Sequence, residues 1–593
     1  MLDTQKAAPP TGAEVIIKAL KEQGVDTIFG YPGGAVLPIY DTLFLQNDIR
    51  HILVRHEQAA VHAAEGYARS TGKVGCALVT SGPGATNAVT GLTDALMDSI
   101  PIVCLTGQVP THLIGTDAFQ EADTTGITRQ CTKYNYLVSS SDKLAHTIHE
   151  AFMVARTGRP GPVVIDLPKD VQMQPCPVYK SADEVSRESY KVQTKGDAGA
   201  IAQAMALLAG AKKPIIYSGG GVINSGDRAT QLLREFAALT GAPVTSTLMG
   251  LGAFPASDQQ WLGMLGMHGT FEANWAMHDC DVMINIGARF DDRITGRVDA
   301  FSPGSTKVHV DIDPSSINKN VMADIAIIGD CAEVLADMIA LWKSQRYDLD
   351  QPALRAWWGQ INQWRSIDCL QYEQAKGDAL IRPQHAVQRL WDLTKHRDDV
   401  YITTEVGQHQ MWAAQYFKFE QPNHWMTSGG LGTMGYGFPA AYGVQLAHPG
   451  ALVIDIAGDA SILMNIQEMS TVAQYKLPVK IMVLNNEYMG MVRQWQELLH
   501  GERYAESYTD SLPDFVKLAE SFGWKGIRVT TEAELDGAIQ EMIDHDGPVF
   551  FDCCVEKLDN CFPMIPSGKA HNEMLLGEAS TQGVIDAKGS VLV

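Results

Sequence analysis

Short apolar runs recur along this chain, and most are followed by a glycine-rich turn and then by a helical pattern. The runs are apolar nearly throughout, as in parallel strands that are buried on both faces of a sheet. Strands that alternate with helices in this way predict doubly wound α/β domains. The expected strands are Cys76–Thr80, Pro101–Thr106, Val163–Leu167, Pro214–Tyr217, Val282–Ile286, Val308–Ile312, Val400–Thr404, Leu452–Ile456 and Val479–Leu484.

Two polar stretches interrupt this alternation and mark domain boundaries. Residues 175–199 are rich in Lys, Glu, Ser and Asp, whereas residues 343–383 lack strand signals and contain Trp357, Trp358 and Trp364. We interpret the second stretch as a helical connector that packs on a domain. The 593 residues suffice for three α/β domains of similar size. We place these domains at residues 11–180, 195–345 and 380–556, followed by a C-terminal tail over residues 557–593.

The composition limits the partners of the chain. It has 68 Asp and Glu against 46 Lys and Arg, a net charge of −22 at pH 7, which argues against nucleic acid or an anionic membrane as a main partner. The first ten residues lack the apolar core of a signal peptide, and no run reaches the roughly 18–20 apolar residues of a membrane span. The ten cysteines form no CxxC pair. We therefore expect a cytoplasmic protein with buried, reduced thiols.

Polar residues follow two of the expected strands in the third domain. The strand Leu452–Ile456 leads into Asp459, and the strand Val479–Leu484 leads into two asparagines that end at Asn486. Ligands of open α/β sheets bind at the carboxyl ends of strands, so Asp459 and Asn486 can face one Mg²⁺, whose ligands are hard oxygens. A helix after Asp459 would favour a diphosphate at its N-terminus. Alone, the pattern also fits two ordinary turns, and only its placement at two strand ends makes it specific.

A second group of polar residues lies in the first domain. Glu57 follows a short strand and opens an alanine-rich helix, while residues 80–87 form a strand-to-helix loop of glycines and hydroxyls. A lone carboxylate in a first turn often does no more than complement the helix dipole. The loop likewise fits turn and cap chemistry, or lines a site through its backbone N–H groups.

Together these motifs resemble a thiamine-diphosphate-dependent family, that of the large, catalytic subunits of acetohydroxyacid synthase, also called acetolactate synthase. The resemblance extends from about Thr11 to Glu573, and its motifs stand in the family's order. They are Phe29–Gly34, Arg55–Gln58, Gly107–Pro110, Gly115–Glu121, Gly158–Pro162, Leu265–Gly269, Arg289–Arg293, Gly407–Gln410 and Ser428–Gly432.

The resemblance implies an activity and a set of catalytic residues. The family decarboxylates pyruvate on thiamine diphosphate and joins the two-carbon fragment to pyruvate or 2-ketobutyrate, the first common step of branched-chain amino-acid biosynthesis. Glu57 would hydrogen-bond the pyrimidine N1′ of the cofactor in an acid–base relay. Arg293 would pair with the carboxylate of the second substrate, and Trp495 would narrow the acceptor pocket. Gln120, near the reacting groups, and Lys169 complete the set.

The resemblance also implies three cofactors: thiamine diphosphate, Mg²⁺ and FAD in the central domain. Met434 would bend the thiamine, and the Mg²⁺ ligands would be Asp459, Asn486 and the backbone carbonyl of Tyr488. FAD would be structural or an inherited redox cofactor, because the reaction has no net redox change. The implied thiamine-diphosphate contacts are Gln408, His409, Gly432, Met434, Gly458, Asp459, Ala460, Ser461, Asn486 and Met491. The implied FAD contacts are Arg159, Gly220, Thr247, Leu248, Leu265, Met267, His268, Gly287, Arg289, Asp291, Asp311, Ile312 and Asp330.

Two residues depart from the family's pattern. Ala460 stands where the family usually has glycine, and alanine fits there only if the backbone φ is ordinary, because a Cβ disfavours positive φ. Glu487 follows the two asparagines, where other residues are common. Neither change removes an expected metal ligand.

Related activities form the alternatives. Pyruvate oxidases share both organic cofactors but pass electrons onward, and simple 2-keto acid decarboxylases often use a histidine pair, whereas this chain has no two adjacent histidines. Glyoxylate carboligases resemble the chain but lack a glutamate at the position of Glu57. A regulatory or structural protein of the same fold would not need Glu57, Asp459 and Asn486 together.

The resemblance implies an assembly as well. Glu57 of one subunit would meet the metal site of another, so that each active site exists only in a homodimer, alone or within a tetramer. The substrates would be small 2-keto acids. The sequence leaves open the preferred acceptor, the feedback amino acid and the need for a separate small regulatory subunit.

Overall fold

Three parallel sheets of six strands each form the framework of the molecule. The computed structural model describes residues 8–187 and 189–577. In spatial order the first sheet contains β2 Arg50–Leu53, β1 Thr27–Gly30, β3 Gly75–Val79, β4 Ile102–Gln108, β6 Val163–Pro168 and β5 Tyr134–Leu137. The second contains β12 Ile325–Ile328, β11 Thr306–Asp311, β10 Val282–Ile286, β7 Pro214–Ser218, β8 Val244–Ser246 and β9 Trp261–Met264. The third contains β14 Trp425–Met426, β13 Val400–Thr404, β15 Leu452–Gly458, β16 Lys480–Asn485, β18 Val549–Cys554 and β17 Lys525–Val529, and α-helices or 3-10 segments separate the strands in sequence. This arrangement confirms the predicted α/β class with three doubly wound domains.

The first domain begins with a helix whose capping box is made by Thr11 and Glu14. Its third helix starts at Glu57, as the sequence predicts, and ends at Thr71; Gly72 caps it with φ of 72°, which suits a glycine. The elements are α1 Gly12–Glu22, β1 Thr27–Gly30, α2 Leu37–Phe44, β2 Arg50–Leu53, α3 Glu57–Thr71, β3 Gly75–Val79, α4 Pro83–Asn87, α5 Val89–Asp98, β4 Ile102–Gln108, α6 Thr124–Thr128, β5 Tyr134–Leu137, α7 Leu144–Arg156, β6 Val163–Pro168 and α8 Lys169–Met173.

The central domain has its topological switch point between its first and fourth strands, which pair from Pro214 and Val282 to Ser218 and Ile286. The elements are α9 Ala198–Ala209, β7 Pro214–Ser218, α10 Gly220–Asn224, α11 Asp227–Thr240, β8 Val244–Ser246, β9 Trp261–Met264, α12 Phe271–Asp279, β10 Val282–Ile286, α13 Asp292–Thr295, β11 Thr306–Asp311, β12 Ile325–Ile328 and α14 Cys331–Gln345. The predicted connector is α15 Gln351–Arg365, and Trp357 on it donates a hydrogen bond to the Pro214 carbonyl at 3.1 Å.

The third domain contains the two strands that lead into the predicted metal ligands. Its elements are α16 Pro383–Thr394, β13 Val400–Thr404, α17 Gln408–Tyr416, β14 Trp425–Met426, α18 Gly437–Ala447, β15 Leu452–Gly458, α19 Met469–Tyr475, β16 Lys480–Asn485, α20 Gly490–Leu499, α21 Phe515–Ser521, β17 Lys525–Val529, α22 Glu532–Asp544 and β18 Val549–Cys554. The expected helix after Asp459 is instead a 3-10 segment, Ile462–Glu468, ahead of α19. Asn465 interrupts it with φ of −131°, and its amide donates to the Gly435 carbonyl at 2.6 Å.

The first and third domains pack through a close crossing of α3 and α18. Gly66 lies against Ala440, and Gly443 lies against Ala63, so closely that a Cβ on either glycine would overlap the backbone carbonyl of the other helix. The predicted tail is described as far as residue 577, and its residues 578–593 lie outside the described part. Ile565 in the tail donates its N–H to the Met267 carbonyl at 2.8 Å. The three sheets lie within the predicted domains, whose boundaries stay predictions.

No helix in residues 8–187 and 189–577 combines the length and apolar character that crossing a membrane requires.

Candidate functional site

A cavity of about 950 Å³ lies between the central and third domains, lined by residues that follow the carboxyl ends of strands in both sheets. Binding sites of doubly wound sheets occupy this edge. Its wall contains all the thiamine-diphosphate and FAD contacts that the resemblance implies, as well as Tyr488, Arg293 and Trp495. Glu57, Gln120 and Lys169 are not part of this wall. The folding of one chain therefore brings most of the predicted residues together and leaves three apart.

The metal corner of the cavity is formed at the ends of β15 and β16. Asp459 Oδ1 accepts a hydrogen bond from Ala460 N at 2.7 Å, whereas Oδ2 is buried without a partner among the described residues. Burial raises the pKa of Asp459 to about 7. Asn486 Oδ1 accepts only weakly from Tyr488 N, at 3.2 Å. An orphaned carboxylate oxygen beside an amide oxygen suits a hard cation, so the residues fit Mg²⁺.

The two departures from the family's pattern leave this corner intact. Ala460 does not have a positive φ, so alanine is compatible with the backbone conformation at this position. Glu487 has φ of 59° and pairs with Lys557, while Tyr508 donates to its carboxylate at 3.2 Å. The charge of Glu487 is thus matched by a neighbour.

The start of α17 forms the next part of the wall. His409 Nε2 is buried without a partner among the described residues, and burial lowers the pKa of His409 to about 3, so its ring is neutral. A Cβ on Gly458 would lie 2.7 Å from His409 Nδ1, and one on Gly490 would overlap the Gln408 side chain. Glycine at both positions leaves room for Gln408 and His409 at a helix N-terminus, where N–H groups and the dipole favour an anion such as a diphosphate.

Met434 lies in a loop that is held from two sides. Ser428 Oγ accepts hydrogen bonds from Gly432 N at 2.9 Å and Thr433 N at 2.8 Å. The buried carboxyl of Glu405 accepts from Gly435 N at 2.5 Å. These contacts fix the backbone on both sides of Met434 and so hold its side chain at the cavity.

The central domain supplies the other half of the cavity. Gly220 and Gly287 follow the paired strands of the switch point, and Gly221 N donates to the Gly287 carbonyl at 2.9 Å. Because glycine has no side chain, the two backbones can approach closely, and the space beside them stays open where larger residues would fill it. Thr247 Oγ1 and His268 Nε2 are buried without partners among the described residues. A cradle with orphaned polar atoms fits a large polar ligand such as FAD.

The first domain also contributes to this wall, through the predicted residue Arg159 and through the end of α5, which the sequence did not predict. Arg289 donates to the Met97 carbonyl at 2.6 Å, and Arg159 donates to Ser99 Oγ at 2.8 Å. Asp98 accepts from Gly429 N at 2.8 Å and Gly430 N at 2.7 Å. No local motif marks the end of α5, because its role depends on packing between three domains.

The three predicted residues outside the wall lie at the carboxyl edge of the first sheet. Glu57 is buried, and Asn87 Nδ2 donates to its Oε2 at 2.9 Å. Most of the predicted loop 80–87 is the short helix α4, whose last residue makes this contact. On the other side of that loop, a Cβ on Gly82 would lie 2.8 Å from the Gln120 carbonyl oxygen. Lys169 begins α8, directly after β6. This edge forms a second, separate group of candidate residues.

Arg293 and Trp495 lie together where the cavity opens to the surface. The guanidinium carbon is 5.9 Å from the centre of the indole ring, within the range of a cation–π contact. Arg293 also pairs with Asp292 at 2.7 Å. Both residues line the cavity and a shallower pocket beside it.

Comparison with known proteins agrees with this geometry. Three family profiles match: the thiamine pyrophosphate enzyme N-terminal TPP binding domain over residues 10–127, the central domain over residues 201–338 and the C-terminal TPP binding domain over residues 405–553. The chain is 49% identical to the acetolactate synthase large subunit of Haemophilus influenzae, over 96% of this chain and 98% of that protein. It is 49% identical to the acetolactate synthase isozyme 3 large subunit of Escherichia coli, over 96% and 99%, and 45% identical to the large subunit of Pyropia yezoensis, over 97% of each. The chain therefore belongs to the acetolactate synthase large-subunit family of thiamine pyrophosphate enzymes.

Proposed function

We propose that the chain is the catalytic subunit of an acetolactate synthase, which decarboxylates pyruvate and joins the two-carbon fragment to pyruvate or 2-ketobutyrate. The proposal rests on one cavity that is lined by both candidate cofactor sites. One is the candidate Mg²⁺ site, where the buried Oδ2 of Asp459 has no hydrogen-bond partner among the described residues, and the other is the glycine-lined wall at Gly220 and Gly287. The family membership favours carbon–carbon bond formation over the oxidase and decarboxylase alternatives. FAD would then have a structural role, because this reaction transfers no electrons.

The third domain would hold the thiamine diphosphate. Asp459, Asn486 and the carbonyl of Tyr488 would bind Mg²⁺, which would offset the negative charge of the diphosphate. Gln408 and His409 would contact the diphosphate at the start of α17. When bound, thiamine diphosphate would supply a nucleophilic carbon and a sink for the electron pair that decarboxylation leaves behind.

Three side chains would then act on protons and substrates. Glu57 would hold a proton in a hydrogen bond at the pyrimidine N1′ and so favour the imino form of the 4′-amino group across the ring. Arg293 would bind the carboxylate of the acceptor keto acid and orient it. Trp495 would present a flat apolar wall to the acceptor's alkyl group.

We further propose that the site is completed by a second copy of the chain. Glu57, Gln120 and Lys169 lie outside the cavity wall, at an edge that also exposes apolar side chains. Phe119, next to Gln120, is 88% exposed, and Leu113 and Ile114 are exposed in the same segment. Such a patch is typical of a protein interface, which supports a homodimer with shared sites, alone or within a tetramer.

Two further features of the proposal concern the cellular setting. The relatives are named large subunits, which supports a separate small regulatory subunit as a partner. The ten cysteines are free, and nine of them are buried. Reduced thiols of this kind suit the cytoplasm, where we place the protein.

Product analysis tests the proposed activity. The purified chain is incubated with pyruvate, Mg²⁺, thiamine diphosphate and FAD, with a parallel sample that lacks thiamine diphosphate as the control. We expect acetolactate in the complete mixture alone. Acetaldehyde as the main product would identify a simple decarboxylase, and acetate formed together with a reduced electron acceptor would identify an oxidase; either result would overturn the proposal.

A further inference from the structure

A group of buried ionisable residues lies where α3 and α5 of the first domain meet the loop 428–433 of the third domain. Glu65 on α3 and Asp94 on α5 have fully buried side chains, as does His62, whose Nδ1 lies 2.9 Å from Glu65 Oε1. One polar atom from each of these three residues lies within 4.8 Å of the other two. The group is therefore compact enough to share a proton or an ion.

Two oxygens of this group stand without hydrogen-bond donors among the described residues: Glu65 Oε2 and Asp94 Oδ2. The other oxygen of Asp94 is well satisfied, because Thr433 Oγ1 donates to it at 2.6 Å and Ser428 Oγ donates to it as well. Leaving two buried carboxylate oxygens unpaired would cost considerable free energy. One proton between Glu65 and Asp94 would satisfy both, since a protonated carboxyl donates one hydrogen bond.

Burial and the neighbouring carboxylates Asp94 and Asp98 favour such a proton, whereas the charge of Arg69 opposes it. Burial lowers the pKa of His62 to about 4, so the ring is neutral at pH 7. Arg69 directs its hydrogen bonds to the Thr427 and Trp425 carbonyls and to the Tyr436 hydroxyl. Burial, and then the neighbouring Asp94, raise the pKa of Glu65 well above its ordinary range. The titratable or charged groups that act on the pair are His62, Arg69, Asp98 and Tyr436, with His56 beside His62 and Arg289 beside Asp98.

We propose that Glu65 is a neutral carboxylic acid that donates a hydrogen bond to the Asp94 carboxylate, and that this pair positions the loop Ser428–Met434 for cofactor binding. Asp94 is the ionised partner because two hydroxyl groups donate to it. One of these, Ser428 Oγ, accepts in turn from Gly432 N and Thr433 N. Gly432 and Met434 line the cavity, so the pair fixes a wall of the site through Ser428.

The same pair connects the two groups of candidate residues. Helix α3 begins at Glu57 and carries Glu65 two turns later. The hydrogen bonds of Asp94 thus tie the helix that presents Glu57 to the loop that presents Met434. The inference rests on the proposed function only for the identity of the ligand that this loop holds.

Infrared spectroscopy of the full-length chain at pH 7 tests the protonation directly. The difference spectrum between the wild type and Glu65→Gln should show loss of the carbonyl stretch of a protonated carboxylic acid. Glu235→Gln is the matched control, because Glu235 is an exposed glutamate paired with Lys343, and it should show no such loss. Absence of the band difference at Glu65 would show an ionised Glu65 and overturn the proposal.

Titration with thiamine diphosphate and Mg²⁺ tests the positioning role. Glutamine can donate to Asp94 as the neutral acid does, so Glu65→Gln should keep the cofactor affinity within about threefold. Asp94→Asn loses the charged acceptor of two hydroxyls and should weaken the affinity about tenfold or more. Ser428→Ala keeps Asp94 and cuts the connection to the loop, so it should weaken binding while the infrared band remains, even if Asp94→Asn fails to fold.

Equal effects of Glu65→Gln and Ser428→Ala, or no effect of Ser428→Ala, would contradict the positioning role. Metal analysis tests the alternative that His62, Glu65 and Asp94 bind a cation instead of sharing a proton. A second divalent ion per chain in the wild type that is absent from Glu65→Gln would show such binding. Neither the infrared band nor the cofactor titration depends on the product formed from pyruvate. The inference and the proposed activity can therefore fail separately.

Discussion

Asn87 donates a hydrogen bond to Glu57 across 2.9 Å, from the end of α4 to the start of α3. The amide orients one oxygen of a buried carboxylate at the edge of the first sheet. A carboxylate held in this way is suited to one hydrogen bond of defined direction, which is what a partner at the pyrimidine N1′ requires.

Glu57→Gln should leave cofactor binding within a few-fold of the wild type and slow the exchange of the cofactor's C2 proton by about 10²–10⁴-fold. Glutamine keeps the shape of the side chain but loses the charge-assisted hydrogen bond. Proton exchange in deuterated buffer measures the effect, with Glu235→Gln as the control. Exchange at the wild-type rate would exclude Glu57 from the relay.

Asp459→Ala should weaken thiamine diphosphate binding by about 100-fold or more, because even the outer partners of a metal site are worth 10–100-fold. The substitution removes Oδ2, the buried oxygen that would be a ligand of the Mg²⁺. Titration in the presence of Mg²⁺ measures the change, and Asp337→Ala on the exposed face of α14 is the control. Unchanged affinity for thiamine diphosphate would show that Asp459 belongs to a turn and does not bind the metal.

Trp495→Leu should lower the preference for 2-ketobutyrate over pyruvate by about 10-fold or more, since one methylene in an apolar pocket is worth about 1–3 kcal/mol. The indole contacts Arg293 at the mouth of the cavity. Competition between the two acceptors gives the ratio directly. Trp391→Leu, on α16 and outside the cavity wall, is the control. A constant ratio in Trp495→Leu would mean that another residue selects the acceptor.

Gly443→Ala should lower the stability of the chain by about 1–3 kcal/mol, because the added methyl overlaps the Ala63 carbonyl at the crossing of α3 and α18. Gly537→Ala is the control, since nothing lies near a Cβ there on α22, and alanine should stabilise that helix by about 1 kcal/mol. Thermal unfolding measures both variants. A melting temperature of Gly443→Ala at or above that of the wild type would contradict the close crossing.

The sequence predicts the centre of each sheet better than its edges. The strands Val282–Ile286 and Val400–Thr404 are confirmed residue for residue, because a strand buried on both faces is apolar throughout. The edge strands Tyr134–Leu137 and Trp425–Met426 were not predicted. The first is half exposed and the second has only two residues, so neither forms a long apolar run.

The same contrast holds for the candidate site. The residues of the metal corner follow consecutive buried strands, so their proximity follows from the topology of the sheet. Asp98 and Asp94 reach their partners Gly429 and Ser428 only through the packing of α5 against the third domain. Contacts over such distances in sequence leave no local pattern.

The most direct test of the account is subunit complementation. Glu57→Gln and Asp459→Ala chains, each inactive, are dissociated, mixed and reassociated, and acetolactate formation is measured. If Glu57 of one chain completes the metal site of another, a mixed dimer has one site with both defects and one with neither. Random mixing should then restore about a quarter of the wild-type activity. No recovery from dimers shown to be mixed would mean that each chain builds its own site.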